Sequence, residues 1–373
     1  MVQHTDRFGN LTDQPTPEPL PPQTWSPSVH TDRSVTFRLH APGSQTVMLS
    51  LEGYSTPQQM ARDSEGVWSV TLGPLEPSLR IYSFLVDGLQ ICDPSNPYNT
   101  GGIRSTESLV DVPGIPPRID QHQNVPHGAV QSRHYFSEVL TREKSLYVYT
   151  PPSYDTDNNS VFPVLYLRHG AWSLEGSWLA IGRADVILDN LIAQGIARPM
   201  VVVMSNGYID SPIGRGFDRD QNNSPKAFKR LGAELVQDII PLIESKYRVS
   251  THREDRAIAG LSMGAGQAFF IGSWNRDVFS WIGELSSGRI SFLEFDLREA
   301  VPGLLDDPVA ANRDLRLLWM SCGSDDLRAI GQRRLSALLT RHGIRHKYRE
   351  IPGGHEWKVW RVDLADFVST IFQ

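Results

Sequence analysis

From about residue 136 onward, short apolar runs alternate with amphipathic stretches, and this alternation restricts the chain's possible folds more than any other feature. The runs are Pro163-Val-Leu-Tyr-Leu-Arg-His-Gly170, Pro199-Met-Val-Val-Val-Met-Ser-Asn-Gly207, Asp255-Arg-Ala-Ile-Ala-Gly-Leu-Ser262 and Leu315-Arg-Leu-Leu-Trp-Met-Ser-Cys-Gly323. Near-continuous apolar strands of this kind belong in a parallel sheet covered on both faces. Between and after them, residues 184–197, 233–247, 265–274 and 331–343 carry apolar residues at helical spacing, the first with Gly195 as its stop. Residues 145–154 read as a strand pair ending at a proline turn, and residues 346–357 as a strand followed by a loop. Strands alternating with helices over residues 136–373 predict a doubly wound α/β domain.

Residues 31–112 have a different character. Val35, Phe37 and Leu39 alternate with polar neighbours, and similar short runs follow around Val47, Trp68 and Tyr82. Each is β-branched or aromatic and bounded by Gly, Pro or Asp, so a small all-β, immunoglobulin-like sandwich is expected here. Residues 113–135 are Pro-rich and polar and read as the linker between the two domains. Residues 1–30 hold six prolines between Pro15 and Pro27, which excludes a helix or a central strand and reads as an extended arm.

Length and composition exclude several function classes. The 373 residues fit about two domains. A net charge of −6 disfavours a nucleic-acid-coating protein, and no apolar run is long enough to cross a membrane. Cys92 and Cys322 cannot make a disulfide framework and lie in no metal-ligand cluster. Neither a phosphate-cradling loop nor a zinc-binding helix motif is present, so no cofactor and no metal are expected. The N-terminus lacks a basic segment followed by an apolar one, which fits a protein kept inside the cell or a mature secreted form.

Gly260-Leu-Ser262-Met-Gly264 matches G-x-S-x-G between a strand-like and a helix-like stretch, the setting of a nucleophile elbow. Glycines flank the serine because the turn leaves no room for a Cβ. A serine hydroxyl needs a base, and on this kind of sheet the order expected is serine, acid, histidine. His342, His346 and His355 follow Ser262, and His355 alone sits in a glycine-rich loop directly after a strand. The acid should follow the strand ending at Gly323, where Asp325 and Asp326 are both candidates. The oxyanion donors expected are the amide of Met263 and an amide of the loop after the 163–170 run, Ala171 or its neighbour Trp172. Trp172, Trp178, Trp357 and Trp360 cluster in sequence near these positions and are candidate walls for a flat acyl group or a sugar. The segment 206–228, with Arg215, Arg219 and Lys226, reads as a loop over the cleft.

At these residues the sequence resembles the esterase-D-like α/β-hydrolases, particularly the feruloyl and acetylxylan esterases of carbohydrate esterase family one. The matching stretches include residues 149–154, 163–170, 182–191, 199–204, 256–264 and 353–357. The resemblance implies an α/β-hydrolase fold and a Ser262-His355-Asp326 triad, because the family's acid closes a C-G-x-x-D pattern that falls on Asp326. It also implies ester substrates, either small molecules or groups linked to plant polysaccharides, with no nucleic-acid or membrane partner. Enterochelin-type trilactone hydrolysis and acyl transfer are the alternatives on the same fold. The N-terminal region is similar to early-set sandwich modules, with Trp68 and Tyr82 expected as packing residues. Arg168, Ser205 and Ala265 depart from the family pattern, and a charge at Arg168 in a buried strand demands a partner.

Overall fold

The computed structural model describes residues 25–103, 107–210, 224–287 and 296–373, together with a backbone pairing of His4–Thr5 with Leu11–Thr12. Its chain forms two compact units. The first comprises Met1–Asn99 and Thr106–Val112, and the second comprises Thr100–Ser105 and Pro113–Gln373.

Two antiparallel sheets build the first unit. One pairs Val35–His40 with Val67–Leu72, and the other pairs Ser78–Val86 with both Val47–Leu51 and Ser108–Val112. Period-two alternation turns Val35, Phe37, Leu39, Val47, Leu49, Tyr82 and Phe84 inward as one core. Trp68 is buried there, its indole N–H donating to the Ala41 carbonyl at 3.0 Å. Tyr82 is buried as well, its hydroxyl donating to Asp93 at 2.8 Å. Both side chains are therefore packing residues rather than open platforms.

The second unit is built on an eight-stranded sheet. In chain order the strands are β1 (Ala129–Ser137), β2 (Arg142–Thr150), β3 (Val164–Arg168), β4 (Val201–Ser205), β5 (Arg256–Leu261), β6 (Trp281–Leu285), β7 (Leu317–Gly323) and β8 (Lys347–Ile351). They lie in the order β1-β2-β4-β3-β5-β6-β7-β8, with β2 antiparallel to both its neighbours, β1 and β4, and the remaining pairings parallel. The helices are α1 (Ser177–Ala180), α2 (Ala184–Ala193), α3 (Pro225–Glu234), α4 (Ile240–Lys246), α5 (Met263–Trp274), α6 (Leu297–Ala300), α7 (Pro308–Asp314), α8 (Ala329–Arg341) and α9 (Trp357–Val368). A wide π-turn, Leu235–Ile239, joins α3 to α4 just before Pro241. Proline has no N–H to donate and its ring crowds the preceding turn, which favours such a widening.

The structure differs from the sequence reading at several points. The strand pair expected within residues 145–154 is one strand, β2. Its hairpin partner β1 begins inside the stretch read as a linker, because an edge strand with mostly exposed side chains has a linker's composition. Helix α9 follows the loop at 352–356, where the sequence reading stopped at a loop.

Candidate active site

Ser262 sits between β5 and α5 with φ 52° and ψ −110°, a backbone conformation that L-residues rarely adopt. The Ser262 amide donates to the Leu285 carbonyl at 2.9 Å, so β6 holds the turn from one side. A Cβ on Gly264 would lie 2.5 Å from the His169 carbonyl oxygen, and one on Gly260 would lie 2.5 Å from Gly264 itself. The two glycines thus let β3, β5 and α5 close around the serine.

His355 reaches the same point from the loop after β8. Its Nε2 lies 3.0 Å from Ser262 Oγ, and its Nδ1 lies 2.6 Å from Asp326 Oδ2. The loops carrying His355 and Asp326 pack backbone to backbone: the Asp325 amide donates to the Gly353 carbonyl at 2.9 Å, and Gly323 leaves no space for a Cβ against Gly353 and Gly354. Asp325 is exposed, whereas Asp326 is buried beside the imidazole. The other oxygen of Asp326 accepts from the Arg328 amide at 3.0 Å and its guanidinium at 3.1 Å. Burial opposes ionisation of Asp326, but the His355 bond and the Arg328 contacts outweigh it and hold the carboxyl at about 2. His346 is held elsewhere, by Ser336 at 2.8 Å.

The loop after β3 closes the site opposite His355. His169 is buried, and its Nε2 accepts from the Gly207 amide at 2.8 Å. The ring proton must then reside on Nδ1, where it meets the Gly170 carbonyl at 2.8 Å. Burial keeps this imidazole neutral, with its pKa pushed down to about 4. A planar trans peptide directs its C=O and the following N–H to opposite sides. Fixing the Gly170 carbonyl therefore aims the Ala171 amide the other way. The Met263 amide is the first of α5. Amides at such a position have no acceptor within the helix.

The tryptophans divide. Trp172 is 37% exposed. Trp178 has no exposed surface, and its indole N–H donates to the Arg168 carbonyl at 3.0 Å. Trp178, Trp357, Trp360 and His355 form a continuous edge-to-face series with ring centroids 5.2, 5.3 and 4.7 Å apart. Substrate walls at Trp178 and Trp357 are thus corrected to buried supports of the histidine loop. Arg215 and Arg219 lie outside the described residues, and Lys226 is exposed on the first turn of α3.

Among the polar side chains behind the site, Lys144, Glu175 and Gln267 escaped the sequence reading. Arg168 meets Ser205 Oγ at 2.6 Å and Gln267 Oε1 at 3.0 Å, so two of the departures from the family pattern serve each other. Lys144 donates to the carbonyls of Asn206 and Tyr208 at 3.2 and 2.6 Å. Glu175 accepts from Ser145 and from Asn206. A charged or amide residue inside an apolar strand or helix, as at 168 and 267, was the available signal.

Comparison with known proteins gives the family and the fold. The family model described as "Putative esterase" matches residues 137–371. An endo-1,4-beta-xylanase/feruloyl esterase of Xylanibacter ruminicola is 28% identical over 96% of this chain, which spans 47% of that protein's length. A ferulic acid esterase of Anaeromyces mucronatus superposes with TM-score 0.57 and 25% identity, covering 68% of this chain and 93% of that one. An enterobactin esterase of Shigella flexneri shares the fold with TM-score 0.63 at 19% identity, covering 90% of this chain and 92% of its own. The chain belongs to the esterase family and carries the α/β-hydrolase fold of carboxylic ester hydrolases.

Proposed function

We propose that this protein is a serine esterase acting through Ser262, His355 and Asp326 on feruloyl or acetyl esters of plant polysaccharides or on related aromatic esters. The single observation that carries the reading is the contact series Ser262 Oγ–His355 Nε2–Asp326, at 3.0 and 2.6 Å. Ser262 Oγ attacks the ester carbonyl carbon as its proton passes to His355 Nε2. The Met263 and Ala171 amides meet the oxyanion. His355 returns the proton to the departing alcohol and then takes one from water, which attacks the acyl-enzyme. Collapse of that second adduct releases the acid and restores the Ser262 hydroxyl. Asp326 keeps the imidazole in the required tautomer and stabilises its charged form.

The acyl preference draws support from the xylanase/feruloyl esterase and ferulic acid esterase relatives. A second reading, hydrolysis of a siderophore trilactone, rests on a likeness of fold that extends over 90% of the chain. A panel of methyl ferulate, 4-nitrophenyl acetate, acetylated xylan and a catechoyl trilactone separates the two. Ser262→Ala is expected to abolish turnover of every accepted ester while leaving the circular dichroism unchanged. Retained turnover in that variant would defeat the mechanism.

A further inference from the structure

We propose that Arg168 is a positioning residue, the donor-only head of a one-way hydrogen-bond chain that ends by aiming the Ala171 amide into the site. The proposal rests on the triad reading above and adds a residue that touches neither the triad nor the substrate.

Each link holds the group that makes the next one. Arg168 is buried at the end of β3, and a guanidinium has donors only. Gln267 on α5 must therefore turn its oxygen toward Arg168 Nε, at 3.0 Å. That choice leaves the Gln267 amide nitrogen to donate to the Gly207 carbonyl, at 2.9 Å. The Gly207 amide, on the same short segment, donates to His169 Nε2 at 2.8 Å. His169 then carries its proton on Nδ1 and donates to the Gly170 carbonyl at 2.8 Å. With that carbonyl held inward, the peptide plane turns the Ala171 N–H outward. Each bond in such a chain polarises the next, so reversing one link disturbs the terminus.

The surrounding charges suit a neutral His169. Burial, Arg168 and Lys144 of β2 disfavour its protonation and outweigh the Gly170 carbonyl bond and Glu175 of its own loop, which favour it. The Tyr208 ring packs on the imidazole at 5.1 Å. Burial pushes the pKa of both cations down, Lys144 to about 8, and Glu234 of α3, which faces Arg168 and lies 3.6 Å from Lys144, partly offsets it.

The test uses 4-nitrophenyl acetate, with Ser262→Ala first shown to be inactive so that hydrolysis at this site is established independently. Gln267→Glu keeps the volume and strengthens the contact with Arg168, but sets an acceptor against the Gly207 carbonyl. We expect a folded protein whose kcat falls on the order of ten- to a hundred-fold, with KM within about two-fold. A residue that merely satisfied Arg168 would tolerate this change. Arg168→Met is expected to lower kcat and to move the acid limb of its pH profile upward, because His169 becomes easier to protonate. Arg168→Lys, still a donor, should recover part of the loss. Wild-type kcat in folded Gln267→Glu overturns the proposal, and so does an unmoved acid limb in Arg168→Met. If Arg168→Met does not fold, Gln267→Glu decides alone.

Discussion

Glu284 of β6 is wholly buried, one position before Leu285, whose carbonyl holds the Ser262 amide. Burial pushes its carboxyl up to about 8, although the Ser287 amide and Gln332 both bond to it at 2.7 Å. A raised acid stabilises the fold fully below its unfolded value near 4.5 and loses that contribution as pH climbs toward 8. Glu284→Gln keeps the shape without the titration. The expected outcome is a smaller fall in urea midpoint between pH 5 and pH 8 than in the wild type. An equal fall in both proteins would show that Glu284 does not titrate in that window. Asp363, raised to about 7 by burial, leaves a residual slope of the same sign in both. The sequence offered no hint of these acids, since each sits among apolar neighbours and takes its behaviour from depth alone. It left Asp325 and Asp326 equally open by spacing, and the two differ in which way a turn directs them.

At the scale of elements, α5 explains how the elbow is held. Met263 to Ser273 are all buried, so the helix has no polar face and reads as apolar all round. Its glycines set how closely it approaches the sheet: a Cβ on Gly272 would lie 2.7 Å from Ile282, and one on Gly264 would meet the carbonyls of Arg168 and His169. Backbone cannot yield as a side-chain tip can. Gly264→Ala should therefore cost roughly 1–3 kcal/mol of stability and shift the helix that carries the Met263 amide. A fall in Tm together with slower labelling by a fluorophosphonate is expected, and an unchanged labelling rate would show that α5 adapts. Strand β5 and helix α5 were legible because apolar run, glycine and serine occur in a fixed sequence. Helix α9 was not, because buried Arg361 and Asp363 interrupt its apolar stripe.

Across the second unit as a whole, the Pro-rich stretch after residue 112 acts as a strap. Asp120 bonds to Arg361 of α9 at 2.7 Å and to Arg118 at 2.8 Å. The Asn190 amide of α2 donates to the carbonyls of Ile119 and Gln121, and the Gly128 amide donates to Asp189 at 2.9 Å. Arg361 also holds the Ile181 carbonyl, so one buried cation joins α9, the strap and the segment before α2. Asp120→Asn removes the countercharge that the carboxylate supplies to this buried guanidinium. A loss of roughly 3–5 kcal/mol in denaturant stability is expected. A loss below about 1 kcal/mol would mean the pair behaves like an exposed one.

The sequence by itself determined the alternation of strand and helix, the elbow around Ser262 and the histidine loop at 355. These are local patterns, fixed by apolar period and by glycine where a Cβ has no room. Tertiary structure alone decided that Trp178 and Trp357 support rather than line the site, and that Arg168 finds Ser205 and Gln267. Those outcomes depend on burial and on partners up to about a hundred residues away along the chain. No local pattern encodes which distant groups share a low-dielectric interior, and only there do the partners of a charge become decisive.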